Sequence, residues 1–175
     1  MNYHNITYPD MNNGDGLRVV LWLSGCSHHC KGCQNPQTWN PNSGIPFDDK
    51  AFNELFNELE KDYISGVTLT GGDPLYINNL SGVYGICHFV KRHYPKKTVW
   101  IYTGYTWEEI CKLYGEGSYG NDARQLILKY CDVLVEGEYK EELRDITLKW
   151  RGSSNQRVLD VQESLKQNKV ILYCD

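Results

Sequence analysis

No apolar stretch in the 175 residues approaches the length of a membrane span, and the opening Met1, Asn2, Tyr3, His4, Asn5 has none of the parts of a signal peptide. A membrane role is excluded on that pattern, and the expected location is cytoplasmic. A surplus of either charge is also missing: 18 basic against 22 acidic residues leave a net charge of -4, with the signs interspersed. No basic stripe accompanies the many tyrosines, so they do not form a stacking surface for nucleic acid. Repeats, linkers and low-complexity segments are absent too, which predicts a single domain over residues 1–175, with 158–175 as a short C-terminal extension.

A further absence sits inside the most informative motif. Cys26, Cys30 and Cys33 stand in Cys-x3-Cys-x2-Cys spacing, and no fourth cysteine follows in that loop. A closed structural zinc site takes four protein ligands, whereas three thiolates hold three corners of a [4Fe-4S] cluster and leave one iron open to a small molecule. Zinc closed by His28 or His29 would strain the short loop that contains them. A disulfide with one spare thiol fits poorly with an odd total of seven cysteines and no secretory signal. The motif favours the cluster without eliminating either alternative. Cys87, Cys111 and Cys131 fall on or at the ends of predicted helices and Cys174 lies near the terminus, so these four read as packing residues. His28 and His29 read as solvent-facing or supporting residues rather than catalytic ones.

The second motif is the run from Val67 through Thr70 into Gly71, Gly72, Asp73 and Pro74. It reads as a strand ending in a tight turn, where glycines let backbone approach a ligand closely. Asp73 either attracts an ammonium group or caps the helix that follows. Each motif alone is ambiguous.

Taken together, the two motifs resemble the radical S-adenosylmethionine (SAM) superfamily. Within it, Asn13-Gly14-Asp15-Gly16-Leu17-Arg18, Ser24-Gly25-Cys26, Asn35, Thr38-Trp39, Thr103-Gly104-Tyr105 and Trp150-Arg151-Gly152-Ser153-Ser154-Asn155-Gln156 are similar to the family of activases that serve anaerobic ribonucleoside-triphosphate reductase. That resemblance covers residues 1–157, and its closing segment separates the family from other activases. It implies a [4Fe-4S] cluster held by Cys26, Cys30 and Cys33, and SAM bound through Gly32, Cys33 and Gln34 near the adenine. Gly71, Gly72 and Asp73 would hold the methionyl amino group, and Thr103 would reach a ribose hydroxyl. The implied reaction is reductive cleavage of SAM, whose 5′-deoxyadenosyl radical takes hydrogen from a glycine of the reductase's large glycyl-radical subunit. An electron donor such as flavodoxin is the implied second partner. No general acid or base is needed.

Two departures stand out. Gly14-Asp15-Gly16 replaces a frequent Gly-Pro-Gly and is expected to add a charge near the site, and Glu136-Gly137-Glu138 replaces an acid-Gly-Lys, removing an expected cation. For the segment 150–156 two roles are open, gripping the partner's glycine loop or closing the open side of the fold.

The remaining pattern alternates strands and helices. Strands are predicted at 18–24, 67–70, 98–103, 133–135, 157–161 and 170–173; helices at 48–63, 79–94, 106–114 and 122–130, with a helical turn before the last strand; and loops at 34–46 and 115–120. Strands separated by helices imply parallel βαβ units with ligands beyond the strands' carboxyl ends. The length falls short of the roughly 250 residues of a full eight-stranded α/β barrel. The predicted fold is therefore α/β, a single-domain partial (incomplete) TIM-like barrel of parallel βα units.

Overall fold

The computed structural model describes residues 1–112 and 119–174. Its frame is a mixed sheet of eight strands in the order β3-β1-β2-β4-β5-β6-β7-β8. The parallel centre comprises β2 (Leu17–Leu23), β4 (Ile64–Gly71), β5 (Thr98–Tyr102) and β6 (Val133–Glu136). These are the expected strands, extended or trimmed by a few residues. Antiparallel strands flank them: β1 (Asn2–Asp10) and β3 (Ile45–Pro46) on one side, β7 (Arg157–Asp160) and β8 (Leu172–Cys174) on the other. The all-parallel expectation thus holds for the centre and not for the edges, and no pairing joins β3 to β8 among the described residues.

β1 is the main surprise, because its sequence is polar and carries Pro9. Only Tyr3 and Ile6 of its residues are buried. Its extended state comes from pairing along β2 rather than from its own apolar pattern. It also fixes the start of the cysteine loop, since Ser24 N donates to Asn2 O at 2.9 Å.

Helices α1 (Asp49–Leu59), α2 (Leu80–His93), α3 (Trp107–Cys111), α4 (Tyr119–Leu128) and α5 (Val161–Gln167) follow the sequence signals. Asp48 caps α1 by accepting from Ala51 N, and Thr106 with Glu109 forms the capping box of α3. The predicted end of that helix and most of the loop at 115–120 lie outside the described residues, and α4 already begins at Tyr119. All five helices supply residues to one core against the sheet face formed by Val19, Leu21, Leu23, Val67, Leu69, Val99, Ile101, Leu134 and Leu159. Each fully buried leucine or isoleucine there contributes roughly 1.5–3 kcal/mol.

The opposite sheet face has a smaller core of Trp100, Val133, Val135 and Val158, with Tyr102 and Trp150 packed on it. Arg18 is fully buried on this side. Its guanidinium donates to Thr68 Oγ1 at 2.6 Å, Thr98 Oγ1 at 3.0 Å and the carbonyls of Asp15, Val67 and Thr98, and it lies 5.2 Å from the Trp100 ring centre. Burial lowers its pKa to about 10, so it stays charged at neutral pH. Among the described residues the α-helices contribute to the other core, and on this face the strand ends open into a cavity.

Candidate functional site

Four loops meet at the carboxyl ends of the parallel strands. The chain leaves β2 through Ser24, Gly25 and Cys26, β4 through Gly71, Gly72 and Asp73, β5 through Thr103 and Gly104, and β6 through Gly137 and Glu138. The first two are laced by backbone: Gly72 N donates to Leu23 O and Asp73 N to Gly25 O, both at 2.7 Å. That spacing explains the glycine pair. A Cβ on Gly72 would stand 2.5 Å from Gly25 O, and one on Gly71, whose φ is +103°, would stand 2.7 Å from Leu23 N. The glycines therefore let the turn press against the cysteine loop itself.

Asn79 adds a second tie that sequence reasoning missed, having taken it only as the start of α2. It makes no side-chain cap; its buried amide instead donates to Ser24 O at 2.8 Å and Asp73 O at 2.9 Å. The only signal was its place shortly after the Gly-Gly-Asp-Pro turn.

Asp73 is 2% exposed and already surrounded by donors. It accepts from Leu75 N at 2.7 Å, from Gly104 N at 3.0 Å and from the Thr103 hydroxyl at 2.9 Å. His28 approaches from the cysteine loop, with Nε2 3.0 Å from Asp73 Oδ2 in ion-pair range but outside hydrogen-bond alignment. Its Nδ1 bonds Glu138 Oε1 at 2.8 Å, and its ring sits edge-on to Tyr105 at 4.6 Å. Burial is the largest influence on His28 and lowers its pKa, yet the two carboxylates outweigh it and raise the value to about 8. His28 is thus a supporting residue joining three loops, as expected, and is largely buried rather than solvent-facing. His29 is exposed.

Cys26, Cys30, Cys33 and Gln34 line one cavity of about 390 Å³ with Thr70, Gly71, Gly72, Asp73 and Thr103. All seven cysteines are free thiols. Gly32 is exposed and does not line this cavity; a Cβ there would meet the Glu141 carboxylate at 2.8 Å. As placed, no three His, Cys, Asp or Glu side chains among the described residues stand close enough to enclose a metal ion. Burial, followed by the Asp73 charge, pushes the Cys26 thiol up to about 11, and burial raises Cys30 as well. A metal bound there would displace those protons, because thiolates are the ligands.

Orphaned donors supply the test of fit. Among the described residues, the buried side-chain polar atoms without a hydrogen-bond partner are Trp39 Nε1, Arg151 Nε and His28 Nε2, the last already facing Asp73 Oδ2 at 3.0 Å, and all three residues line this cavity. Trp39 Nε1 and Arg151 Nε are donors with no acceptor at hand. Buried donors call for acceptors, and a thiolate-bound sulfide cluster beside an amino-acid carboxylate is rich in them. Arg151 is also the one lysine or arginine among the described residues that line the cavity.

Of the two sequence departures, the first resolves differently from expectation. Asp15 lies at the opposite end of the sheet, bordering a second hollow with Ser65, Thr98 and Asp132 and accepting from the Tyr173 hydroxyl at 2.5 Å. It adds no charge to the site, because Gly14 and Gly16 turn the chain beneath the strands rather than above them. Glu136 is buried, accepting from Trp107 N at 2.9 Å and from Arg157 Nε, while Glu138 is taken up by His28.

The segment 150–156 is folded on itself and on the loop after β6. Gln156 Oε1 accepts from Gly152 N at 2.9 Å and Ser153 N at 3.2 Å, and its amide donates to Gly137 O at 2.9 Å. Asn155 reaches Glu138 O at 2.8 Å, Arg151 Nη1 reaches Gln156 O at 2.9 Å, and Trp150 packs edge-on against Trp100 at 5.7 Å. Its side-chain amides serve this chain's own cavity wall.

Residues 12–159 match the family model of the 4Fe-4S single cluster domain. The chain is similar to the anaerobic ribonucleoside-triphosphate reductase-activating protein of Enterobacteria phage T4, with 43% identity over 158 residues, covering 90% of this chain and 93% of that protein. It is 40% identical to the protein of that name from Vibrio cholerae, covering 89% of this chain and 96% of the other, and 38% identical to that of Escherichia coli K12, covering 90% and 97%.

Proposed function

Because the chain belongs to the family of anaerobic ribonucleoside-triphosphate reductase-activating proteins, we propose that it performs that activation on an anaerobic ribonucleoside-triphosphate reductase, as a radical SAM glycyl-radical activase. The observation that carries this reading is the lacing of the three-cysteine loop to the Gly-Gly-Asp-Pro turn at one cavity that, among the described residues, holds the unpartnered buried donors Trp39 Nε1 and Arg151 Nε. When bound, the cluster and SAM supply a one-electron reductive cleavage that yields a 5′-deoxyadenosyl radical, which takes hydrogen from a glycine of the reductase.

The chain's own residues hold and orient. Cys26, Cys30 and Cys33 are the cluster ligands in this reading. Gly71 and Gly72 offer backbone to the methionyl ammonium, with the Asp73 charge close behind them. Cys33 and Gln34, with Gly32 at the loop's turn, flank the adenine. Thr103 spends its proton on Asp73 and receives Tyr105 N at 3.2 Å, so it meets a ribose hydroxyl through its remaining lone pair. The sheet centre and its helices correspond to part of an incomplete barrel, with 157–174 completing one edge of a single domain. A cytoplasmic setting and a flavodoxin-like donor complete the reading; among the described residues no helix is long and apolar enough to cross a membrane.

The test is anaerobic. Reconstituted protein given a strong one-electron donor and SAM should release 5′-deoxyadenosine and methionine in equal amounts, and with a reductase deuterated at glycine the 5′-deoxyadenosine should carry deuterium. A protein that binds iron and sulfide yet leaves SAM intact would contradict the proposal.

A further inference from the structure

Trp39 is held to the cysteine loop by more contacts than its place in an irregular segment predicts. It ends the short turn Pro36–Thr38, donating its backbone N to Pro36 O at 3.3 Å. The buried Thr38 fixes that turn by donating its hydroxyl to Asn35 O at 2.7 Å. From there two backbone bonds run to the loop: Gly25 N donates to Thr38 O at 2.7 Å, and Cys26 N donates to Trp39 O at 3.0 Å. The indole ring lies 4.7 Å from the ring of His29, between the first and second cysteines. The residue is thus tied to the first thiol by main chain and to the middle of the loop by its ring.

Its indole N–H is buried and has no acceptor among the described residues, while Trp39 lines the cavity with the three thiols. An unsatisfied buried donor is costly, so an acceptor in its reach is favoured. Indole nitrogen donates only and cannot ligate a metal, which restricts the acceptor to an anionic or lone-pair atom of whatever fills the cavity. Arg151 stands on the separate wall formed by the segment 150–156, whereas Trp39 belongs to the cysteine-loop side.

We propose that the Trp39 indole N–H donates a hydrogen bond to a sulfur of the cluster, a sulfide or a cysteine thiolate, and so raises the cluster's reduction potential. This rests on the [4Fe-4S] reading of the site. The physical reason is charge: reduction adds an electron, so a donor on sulfur stabilises the reduced form more than the oxidised one. Thr38-Trp39, quoted among the family-like residues at the sequence level, thereby gains a function distinct from ligation.

Trp39→Phe keeps an aromatic ring beside His29 and removes the indole donor together with its five-membered ring. In the reconstituted full-length protein, an EPR-monitored redox titration should give wild-type iron and sulfide content with a more negative midpoint. At a fixed potential near the midpoint the ratio of reduced to oxidised cluster should fall at least about threefold, equivalent to about 28 mV at about 59 mV per tenfold for one electron. An unshifted midpoint with full cluster content overturns the assignment. Where the variant fails to hold a cluster, protein labelled with indole-15N tryptophan decides by pulsed EPR of the reduced state, with Trp150→Phe and Trp22→Phe removing the other tryptophans of the cavity in turn: a weak 15N coupling that survives both changes is expected, and its absence overturns the proposal. Failure of the wild type to assemble any iron-sulfur cluster would instead overturn the underlying reading of the site.

Discussion

The hydroxyl of Thr103 lies 2.9 Å from each oxygen of the Asp73 carboxylate, binding the end of β5 to the turn after β4. Both residues are almost fully buried. The acid of the turn is therefore a junction between loops, and its charge reaches the cavity from within a shell of donors. Thr103→Val removes one of those donors without a change of shape. It should lower unfolding stability by about 1–3 kcal/mol in a denaturant titration and weaken SAM binding measured by equilibrium dialysis. Unchanged stability would mean the hydroxyl is not engaged with Asp73.

The cysteines divide by location. Cys26, Cys30 and Cys33 border the cavity, whereas Cys87 and Cys131 are fully buried in the core beneath the helices. Alanine at any of the first three should abolish stoichiometric iron and sulfide. Alanine at Cys87 or Cys131 should retain both, with a loss of about 1–2 kcal/mol from the space left in the core. Iron retained by Cys30→Ala and lost by Cys131→Ala would reverse the assignment.

Gly72→Ala and Gly85→Ala form a matched pair. An added Cβ at Gly72 collides with the backbone of Gly25, beside the first ligand, while at Gly85 in α2 nothing lies within 4 Å. The first change should lower melting temperature and cluster content together, because it pries the turn from the cysteine loop. The second should stabilise by about 0.5–1 kcal/mol through helix propensity. Normal cluster content in Gly72→Ala would show that the two loops can separate without consequence.

Arg157 stands opposite Glu136 across β6 and β7 and also bonds Glu108 Oε2 at 2.7 Å. Arg157→Met would strand the buried Glu136 carboxylate and destabilise on the order of 3 kcal/mol near neutral pH. The Arg157 hydrogen bond holds the Glu108 carboxyl below its usual range. A carboxylate lowered in the fold stabilises above its unfolded pKa and loses that effect as pH falls through the folded value. The stability gap between wild type and variant should accordingly narrow on acidification; a constant gap would argue that the pair carries no linkage.

Much of this was legible in the chain because the central strands and capped helices carry their own signals. Val67 to Thr70 and Thr98 to Tyr102 are apolar enough to be strands in any context, and Asp48 and Thr106 announce their helices by capping chemistry. β1 was not legible, since Asn2–Asp10 becomes a strand only through a partner, and a two-residue strand such as Ile45–Pro46 leaves no period to detect. At the site the spacing of Cys26, Cys30 and Cys33 and the glycines of the turn could be read directly. The bonds of Asn79, His28 and Trp39 could not, because each depends on where a different strand ends. The position of Asp15 was misjudged for the same reason: a charge near a motif in sequence lies at the other end of the sheet in space.

The central claim, that the chain makes a glycyl radical in a reductase, is tested most directly by EPR of that reductase after anaerobic incubation with the reconstituted and reduced protein. The account predicts a glycyl radical signal that requires SAM and disappears when Cys26→Ala replaces the wild type. A reductase that stays silent while the same mixture cleaves SAM to 5′-deoxyadenosine would contradict it.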